Sequence, residues 1–330
     1  MTKSCSIASV TVATNAAHLL PRQLDALKGQ TRKIDEIVVV DNASSDDTSS
    51  LLATRYPEIT VLNLPRNVGV GGALAAGLAY TAGRNHHWTW LLDDDSVPSR
   101  YALEQLLRGL ERLSEGAEEI AILAPMGVHK ETQFAYPGYL WRNGLRRPSA
   151  AAAKQEIFFA DVVISSGTLI RKKAVETVGL PRSDFFMDFV DIELCLRLRR
   201  HGYRIAVVTG CQFDHSIGSP RRINWFGFRR AWTDHTPWRE YYITRNEIFT
   251  IWSYYPDWKT KSSIMWRLAR HATGLLFFGK EKMSCLKMMY RGFLDGHAGR
   301  LGIRFLPDQS NQHSVSPRGD ETESLVAGVR

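Results

Sequence analysis

The opening part of this chain repeats one unit: a short β-branched run, a turn, then a segment with apolar residues at helical spacing. The runs fall at 7–12, 36–41, 60–63, 88–92 and 120–124, and the helical segments at 19–28, 47–56, 70–82 and 99–114. Strands joined through helices of this length pair in parallel, and their helices cover both faces of the sheet. The fold class predicted is therefore α/β: a doubly wound, mostly parallel sheet with helices on both faces. In such sheets ligands sit outside the carboxyl ends of the strands. Two acidic tips fall there, Asp41-Asn42 after the second run and Asp93-Asp94-Asp95 after the fourth.

Beyond residue 124 the rhythm loosens. The Gly, Pro, Arg and Ala-rich stretch 137–154 reads as a surface loop. Strands return around Ser165-Ser166-Gly167 within 156–171, followed by a short helix ending at Gly179. A helix at 191–201 stops at Gly202, a residue suited to a left-handed cap, and a strand at 204–208 leads to His215. From Arg239 the texture changes to helices mixing aromatics, Leu and Met with Arg and Lys, while 307–330 is polar and predicted to be disordered. The expected organisation is a main unit at 1–235, C-terminal accessory helices at 236–306 and a tail at 307–330.

A formal charge of +8 in 330 residues admits an anionic partner without choosing one. The basic residues form no recognised nucleic-acid reading motif, so no nucleic-acid partner is expected. Cys5, Cys195, Cys211 and Cys285 lack metal-binding spacing and read as reduced thiols. The first apolar run is too short for a signal peptide, and no apolar stretch reaches the roughly 20 residues of a membrane span. The expectation is a cytoplasmic protein, or one held peripherally on the inner face of the membrane by its basic aromatic helices.

Three consecutive carboxylates repel unless something compensates them. In a turn-like segment Asp93 and Asp95 project to one side, where hard oxygen ligands suit a magnesium or manganese ion, while Asp94 points elsewhere. The competing use is a helix cap, since Ser96 and Pro98 introduce a helix. Asp41 is able to accept the N3–H of uracil or thymine, against the plainer role of 44–48 in capping the next helix. Gly69, Gly71 and Gly72, after Arg66 and Asn67, suit close approach to a phosphate at a helix start. A dinucleotide fold would place such glycines after the first strand, where Thr14-Asn15-Ala16 stands instead, which disfavours NAD. Asp191 heads a helix, as a cap would. On the helix around 241–246, Tyr242, Arg245 and Asn246 share a face, from which Arg245 reaches a phosphate or acceptor, or pairs with Glu240 or Glu247.

The ordered segments VVVDNASSDDT, LPRNVGVGGALAAGL, WLLDDDSVPS, ISSGTLIRKKAVETVG, FFMDFVDIELCLRLRRHGYRI and FDHSIG resemble glycosyltransferase family 2 over roughly residues 5–250. FFMDFVDIELCLR, FDHSIG and REYYITRNEIF are most similar to bacterial rhamnosyltransferases, and DDD with YYITRN is also similar to galactofuranosyltransferases. The resemblance implies a GT-A fold in which Asp93, Asp95 and His215 hold the cation and Asp191 is the catalytic base. It implies nucleotide-sugar contacts from Thr11, Asp41, Asn42, Arg66, Asn67, Gly71, Asp93 and Asp94. Ser166, Gly167, Asp188, Glu193 and Arg245 would face the sugar or acceptor. Many relatives carry Glu-Asp where this chain has Val190-Asp191, so the neighbour's role is either absent or moved to Asp188 or Glu193. Many also carry Asp-Asp where this chain has Asp41-Asn42, so the uracil contact falls on either residue.

The function implied is an inverting, metal-dependent transfer of a sugar, rhamnose or alternatively galactofuranose. It would pass from a dTDP or UDP donor to a glycan or lipid-linked acceptor. The competing class is a nucleotide-sugar-binding protein without catalysis.

Overall fold

A computed structural model of the chain describes residues 5–113, 116–128, 135–136, 138–214, 221–225 and 228–306. His215 and the tail at 307–330 lie outside the described residues. The repeated unit folds as expected: β1 (Ile7–Ala13), α1 (Leu20–Lys28), β2 (Glu36–Asp41), α2 (Thr48–Arg55), β3 (Thr60–Asn63), α3 (Gly69–Ala82) and β4 (Trp88–Asp93). A two-residue β5 (Val97–Pro98), α4 (Ala102–Arg112) and β6 (Ile120–Val128) follow. After β7 (Ala135–Tyr136), the stretch read as a loop carries a small hairpin, β8 (Leu140–Trp141) with β9 (Leu145–Arg146).

Next come β10 (Ile157–Ala160), β11 (Leu169–Arg171), α5 (Lys172–Val178), α6 (Val190–Arg200) and β12 (Arg204–Asp214). The hairpin β13 (Arg221–Trp225) and β14 (Phe228–Trp232) then leads to α7 (Pro237–Tyr254), α8 (Trp258–Phe278) and α9 (Lys282–His297).

The main sheet runs β10-β12-β6-β11-β4-β1-β2-β3, with β5 on β12 and β7 on β6. Pairs β1–β2, β1–β4, β2–β3 and β6–β12 are parallel, while β11 is antiparallel to both β4 and β6. Period-2 alternation divides each strand between two cores. Val38, Val40, Leu91, Ile205 and Val207 face one, and Val39, Trp90, Leu92, Ala206 and Val208 face the other. Helices α1, α2 and α4 cover the second core, and α3, α5 and α6 the first. Strands buried on both faces read as continuous apolar runs, which is why VVV and WLL precede the acidic tips.

From β1 the chain moves through β2 to β3 on one side, then returns to place β4 on the other. The connection therefore changes direction at β1, and the crevice at this switch point lies between the carboxyl ends of β1 and β4.

Candidate active site

The acidic tips converge because of strand register. Val12 pairs with Asp93 and Ala13 with Asp41, so the two carboxylates end strands on either side of β1. Adjacent strands lie about 4.8 Å apart, which puts β2 and β4 roughly 10 Å from each other across that one strand. The loops behind them are laced together. The backbone N–H of Asn15 donates to Ser44 Oγ (2.9 Å), that of Ala16 to Thr48 Oγ1 (3.0 Å) and that of Ala17 to Asp46 Oδ2 (3.2 Å). In return Ser45 N–H donates to Asn15 Oδ1 at 2.7 Å. Residues 44–48 thus brace the crevice as well as starting α2.

Asp41 is almost fully buried. Its Oδ1 accepts from Ser44 N–H at 2.9 Å and its Oδ2 from the Ser49 hydroxyl. Each carboxylate oxygen has two lone pairs, so both keep acceptor capacity. Asn42 is spent differently: Nδ2 donates to Asn67 Oδ1 (3.1 Å) while Oδ1 accepts from Val68 N–H (2.9 Å). Asn42 and Asn67 together shape the start of α3, with Asn67 Oδ1 also accepting from Gly69 N–H. Thr11 lies buried in β1, its hydroxyl without a hydrogen-bond partner, and Arg66 is exposed in the segment between β3 and α3.

At the end of β4, the Asp93 carbonyl accepts from the Gln23 side-chain amide, which also donates to Ser96 O at 3.0 Å. Gln23 sits in the apolar stripe Leu20, Leu24, Leu27 of α1. A polar residue at an apolar position was the available signal for this support, and the sequence reading passed over it. Asp94 Oδ2 accepts from Thr14 N–H at 3.4 Å, and burial raises its pKa, with the Asp95 charge adding to the effect. Asp93 and Asp95 are partly exposed carboxylates one residue apart. Two oxygen-donor side chains on one turn are chemically suited to a hard divalent cation. Among the described residues no third His, Cys, Asp or Glu completes a ligand group, and the expected third ligand, His215, is not among them.

The dipeptide Ser165-Ser166 joins this tip to Asp191. Ser166 is buried, its Oγ accepting from Asp93 N–H at 3.3 Å and meeting Ser96 Oγ at 2.6 Å. Next to it, Ser165 N–H donates to Asp191 Oδ2 at 3.2 Å. Asp191 lies in the first turn of α6, where the helix dipole favours its charged form. Surrounding Val163, Ile164, Val190 and Leu194 act the other way, and desolvation raises its pKa above the usual carboxylate range, with Asp188 contributing further. Gly167, at φ 81°, closes the turn, its carbonyl accepting from Trp90 Nε1 at 2.9 Å.

Three expected contacts, at Gly71, Glu193 and Arg245, need correction, and a fourth residue, Asp188, is found ion-paired. Gly71 cradles no phosphate: its N–H donates to Phe186 O at 3.1 Å, and a Cβ there would stand 2.5 Å from the Arg182 carbonyl. The close approach its lack of a side chain permits is to protein backbone. Glu193 is 1% exposed and bound to Arg197 Nε (2.9 Å) and to the Tyr254 hydroxyl. Asp188 is held by both arms of the Arg239 guanidinium, at 3.0 Å each. Arg245 is fully buried and donates to Gly302 O (2.6 Å), Asp184 O (3.1 Å) and Phe185 O (2.9 Å). Glu193 and Arg245 present no open face to sugar or acceptor, while Asp188 is ion-paired but 18% exposed.

All four cysteines are free, with burial raising the Cys195 and Cys211 thiols to about 12 and Cys285 to about 11. Among the described residues no helix is long and apolar enough to cross a membrane.

A mostly parallel sheet with an antiparallel insert, helices on both faces and acidic strand ends at the switch point together make a GT-A glycosyltransferase fold. The family model described as "Glycosyl transferase family 2" matches residues 9–179, from β1 to the end of α5, and the chain belongs to that family and is a glycosyltransferase.

Among curated proteins it is 26% identical over 268 residues to the dTDP-rhamnosyl transferase RfbF of Shigella flexneri, covering 81% of this chain and 87% of that one. It is 30% identical over 224 residues to the galactofuranosyltransferase GlfT1 of Mycobacterium tuberculosis, covering 65% and 71% respectively. Among solved structures, S. aureus TarS 1-349 in complex with UDP-GlcNAc superposes with a TM-score of 0.57 at 14% identity, over 88% of this chain and 81% of that one. GalNAc-T7 with UDP, GalNAc and Mn2+ gives 0.59 at 13% identity, over 89% and 56%.

Proposed function

We propose that this glycosyltransferase is inverting and metal-dependent, moving rhamnose from a dTDP- or UDP-linked donor to a hydroxyl of a glycan or lipid-linked acceptor in cell-surface polysaccharide or glycolipid synthesis. The observation that carries the reading is the Ser165-Ser166 bridge. One serine binds the backbone of Asp93 and the next binds the carboxylate of Asp191, and neighbouring Cα atoms are only about 3.8 Å apart. The donor end and the acceptor end of a displacement are thereby held in fixed relation.

In this reading Asp191 takes the proton of the acceptor hydroxyl as that oxygen attacks the anomeric carbon, which requires an approach to about 3 Å. A raised pKa keeps the carboxylate basic enough to take it. Attack opposite the diphosphate inverts the anomeric centre in one step, with no covalent sugar intermediate. Asp93 and Asp95, with His215, would hold a magnesium or manganese ion, which offsets charge building on the departing diphosphate. Asp41 accepts the N3–H of the pyrimidine through its remaining lone pairs, the exposed Arg66 meets donor charge, and Asp94 holds the β4 tip to the loop after β1.

The likeness to GlfT1 favours a second reading, UDP-galactofuranose as donor. Retention of Asp93, Asp95 and Asp191 in one crevice weighs against a binding protein without catalysis. The basic, aromatic outer face of α8 and α9 suits peripheral attachment to an anionic membrane from the cytoplasmic side.

The test is thermal melting with dTDP-rhamnose and UDP-galactofuranose, each with Mn2+ or excess EDTA, followed by turnover of wild type and Asp191→Asn. The expected result is a melting rise with dTDP-rhamnose that needs the cation, and a turnover about 100- to 10,000-fold lower in Asp191→Asn. An equal rise in EDTA would remove the metal site. Near-wild-type turnover of Asp191→Asn would remove the base.

A further inference from the structure

Asp191 is delivered to its place by a loop that backbone sterics disfavour. Phe186 (φ 65°), Asp188 (φ 54°) and Phe189 (φ 65°) all lie in the left-handed region, which residues with a Cβ seldom adopt. Three such residues within four positions persist only where the surroundings over-determine them. Here the surroundings come from α7 and the start of α3. Asn246 Nδ2 donates to Phe185 O (3.0 Å), Met187 O (2.8 Å) and Asp188 O (2.9 Å). Arg245 Nη2 donates to Asp184 O and Phe185 O, and Gly71 N–H to Phe186 O. Every carbonyl from Asp184 to Asp188 therefore has a donor.

Asn246 is oriented by its neighbour. Arg245 Nε donates to Asn246 Oδ1 at 2.9 Å, so the amide turns both of its N–H bonds toward the loop. Arg245 and Asn246 are each 0% exposed, and neither touches the crevice. The close approach of α9 keeps them there: a Cβ at Gly292 would stand 2.4 Å from Tyr241 O, and one at Gly296 2.4 Å from Arg245 O.

We propose that Arg245 and Asn246 are positioning residues for the transfer, clamping residues 184–188 in their left-handed path so that α6 begins with Asp191 aimed at Ser165 and the Asp93 tip. The inference rests on the reading of Asp191 as the base. It gives the C-terminal helices a part in catalysis without contact with substrate: α7 sets where the base stands, and α9 holds α7.

Asn246→Asp tests this with almost no change of volume, because it replaces two donors by a carboxylate facing three carbonyls. Full-length wild type, Asn246→Asp and Arg245→Lys are compared by hydrogen–deuterium exchange of amides 185–193 and by calorimetric binding of UDP and dTDP with Mn2+. Turnover is read as donor hydrolysis of dTDP-rhamnose and UDP-galactofuranose. Both variants are expected to exchange faster in 185–193, with nucleotide affinity within about threefold of wild type. For the donor that the wild type hydrolyses, kcat should fall about 100-fold at nearly constant KM, as for misplacement of a catalytic group by about 1 Å.

Unchanged exchange, or faster exchange with wild-type kcat, overturns the proposal. If Asn246→Asp does not fold, Arg245→Lys, which keeps the charge and loses the planar fork, decides alone. Asp191→Asn measured alongside separates the two readings. Full activity there removes the base, while the exchange comparison still judges the clamp.

Discussion

The strand ends and the C-terminal helices both bury charged and polar side chains, but they use them in opposite ways. Around the crevice, the carboxylates of Asp41, Asp94 and Asp191 accept from backbone N–H groups, and Asp41 also from the Ser49 hydroxyl, which steadies a carboxylate without neutralising it. Along α7, Glu240 faces His271 at 2.9 Å, Glu247 faces Arg267, and Arg245 and Asn246 are consumed by carbonyls. Burial alone therefore does not mark a site. What sets the crevice carboxylates Asp41 and Asp191 apart is that backbone N–H groups hold them, where a cationic side chain holds Glu247.

The largest effect that would break or sharpen this contrast comes from removing charges from each region in turn. Asp93→Ala combined with Asp95→Ala should abolish Mn2+-dependent nucleotide binding, a loss of at least about 100-fold in a titration with UDP, while leaving the melting temperature of the unliganded protein nearly unchanged. Arg267→Ala should do the reverse. It strands Glu247, whose side chain is 4% exposed while that of Arg267 is 40% exposed, so the cost is below that of breaking a fully buried pair, at about 1–2 kcal/mol. The denaturant midpoint should fall while nucleotide affinity stays put. A double Asp variant that still binds UDP with Mn2+ would erase the distinction.

A smaller effect, of opposite sign, is expected at Asp191. Burial raises its folded pKa above the unfolded value of about 3.9, so the folded protein holds the proton more tightly than the unfolded chain. Stability from this group is then greatest at low pH and declines as pH rises through the interval between the two values. Above that interval the charged, desolvated carboxylate is a standing cost. Asp191→Asn should melt above wild type at pH 7 by about 1 kcal/mol equivalent, the usual scale for trading an active-site group for stability. The gain should vanish near pH 3. The acid limb of wild-type kcat/KM should likewise lie above the ordinary carboxylate range. A variant less stable than wild type at pH 7 would mean that Asp191 is held by compensating interactions, like the carboxylates of α7.

The same contrast explains what was legible in the sequence. Periodicity carries the sheet half well: the runs at 36–41 and 88–92 have no alternation because both faces are buried, and each ends on the carboxylate that the crevice needs. The convergence of Asp41 and Asp93 needs the order of strands, which a doubly wound pattern supplies. Gly71 and Arg245 were misread for one reason. A glycine says that something comes close, and a helical face says which residues are neighbours, but neither says against what. In each case the partner is the loop at 182–188, distant in sequence from both, whose left-handed residues are Phe and Asp and so carry no glycine signature. Gln23 and Ser165 escaped for a related reason. They serve the site through an amide and a backbone N–H, groups that no motif singles out.

The smallest effect concerns the outward face of the helices. Trp258, Trp266, Phe277, Met283 and Tyr290 are exposed, Trp266 at 70%, and they share α8 and α9 with Lys259, Lys261, Lys282, Lys287 and Arg291. Basic residues near an anionic bilayer contribute about 1 kcal/mol each, and aromatic side chains favour the headgroup level. Cosedimentation with vesicles containing phosphatidylserine should therefore exceed that with neutral phosphatidylcholine vesicles, and should weaken with salt. Trp266→Ala with Phe277→Ala should lower the bound fraction several-fold by removing apolar area, without altering UDP affinity. Equal recovery with neutral and anionic vesicles would assign the exposed aromatics to another partner. Loss of UDP affinity in the same variant would show that the helices reach the donor site and that the two regions are less separate than their side-chain partners suggest.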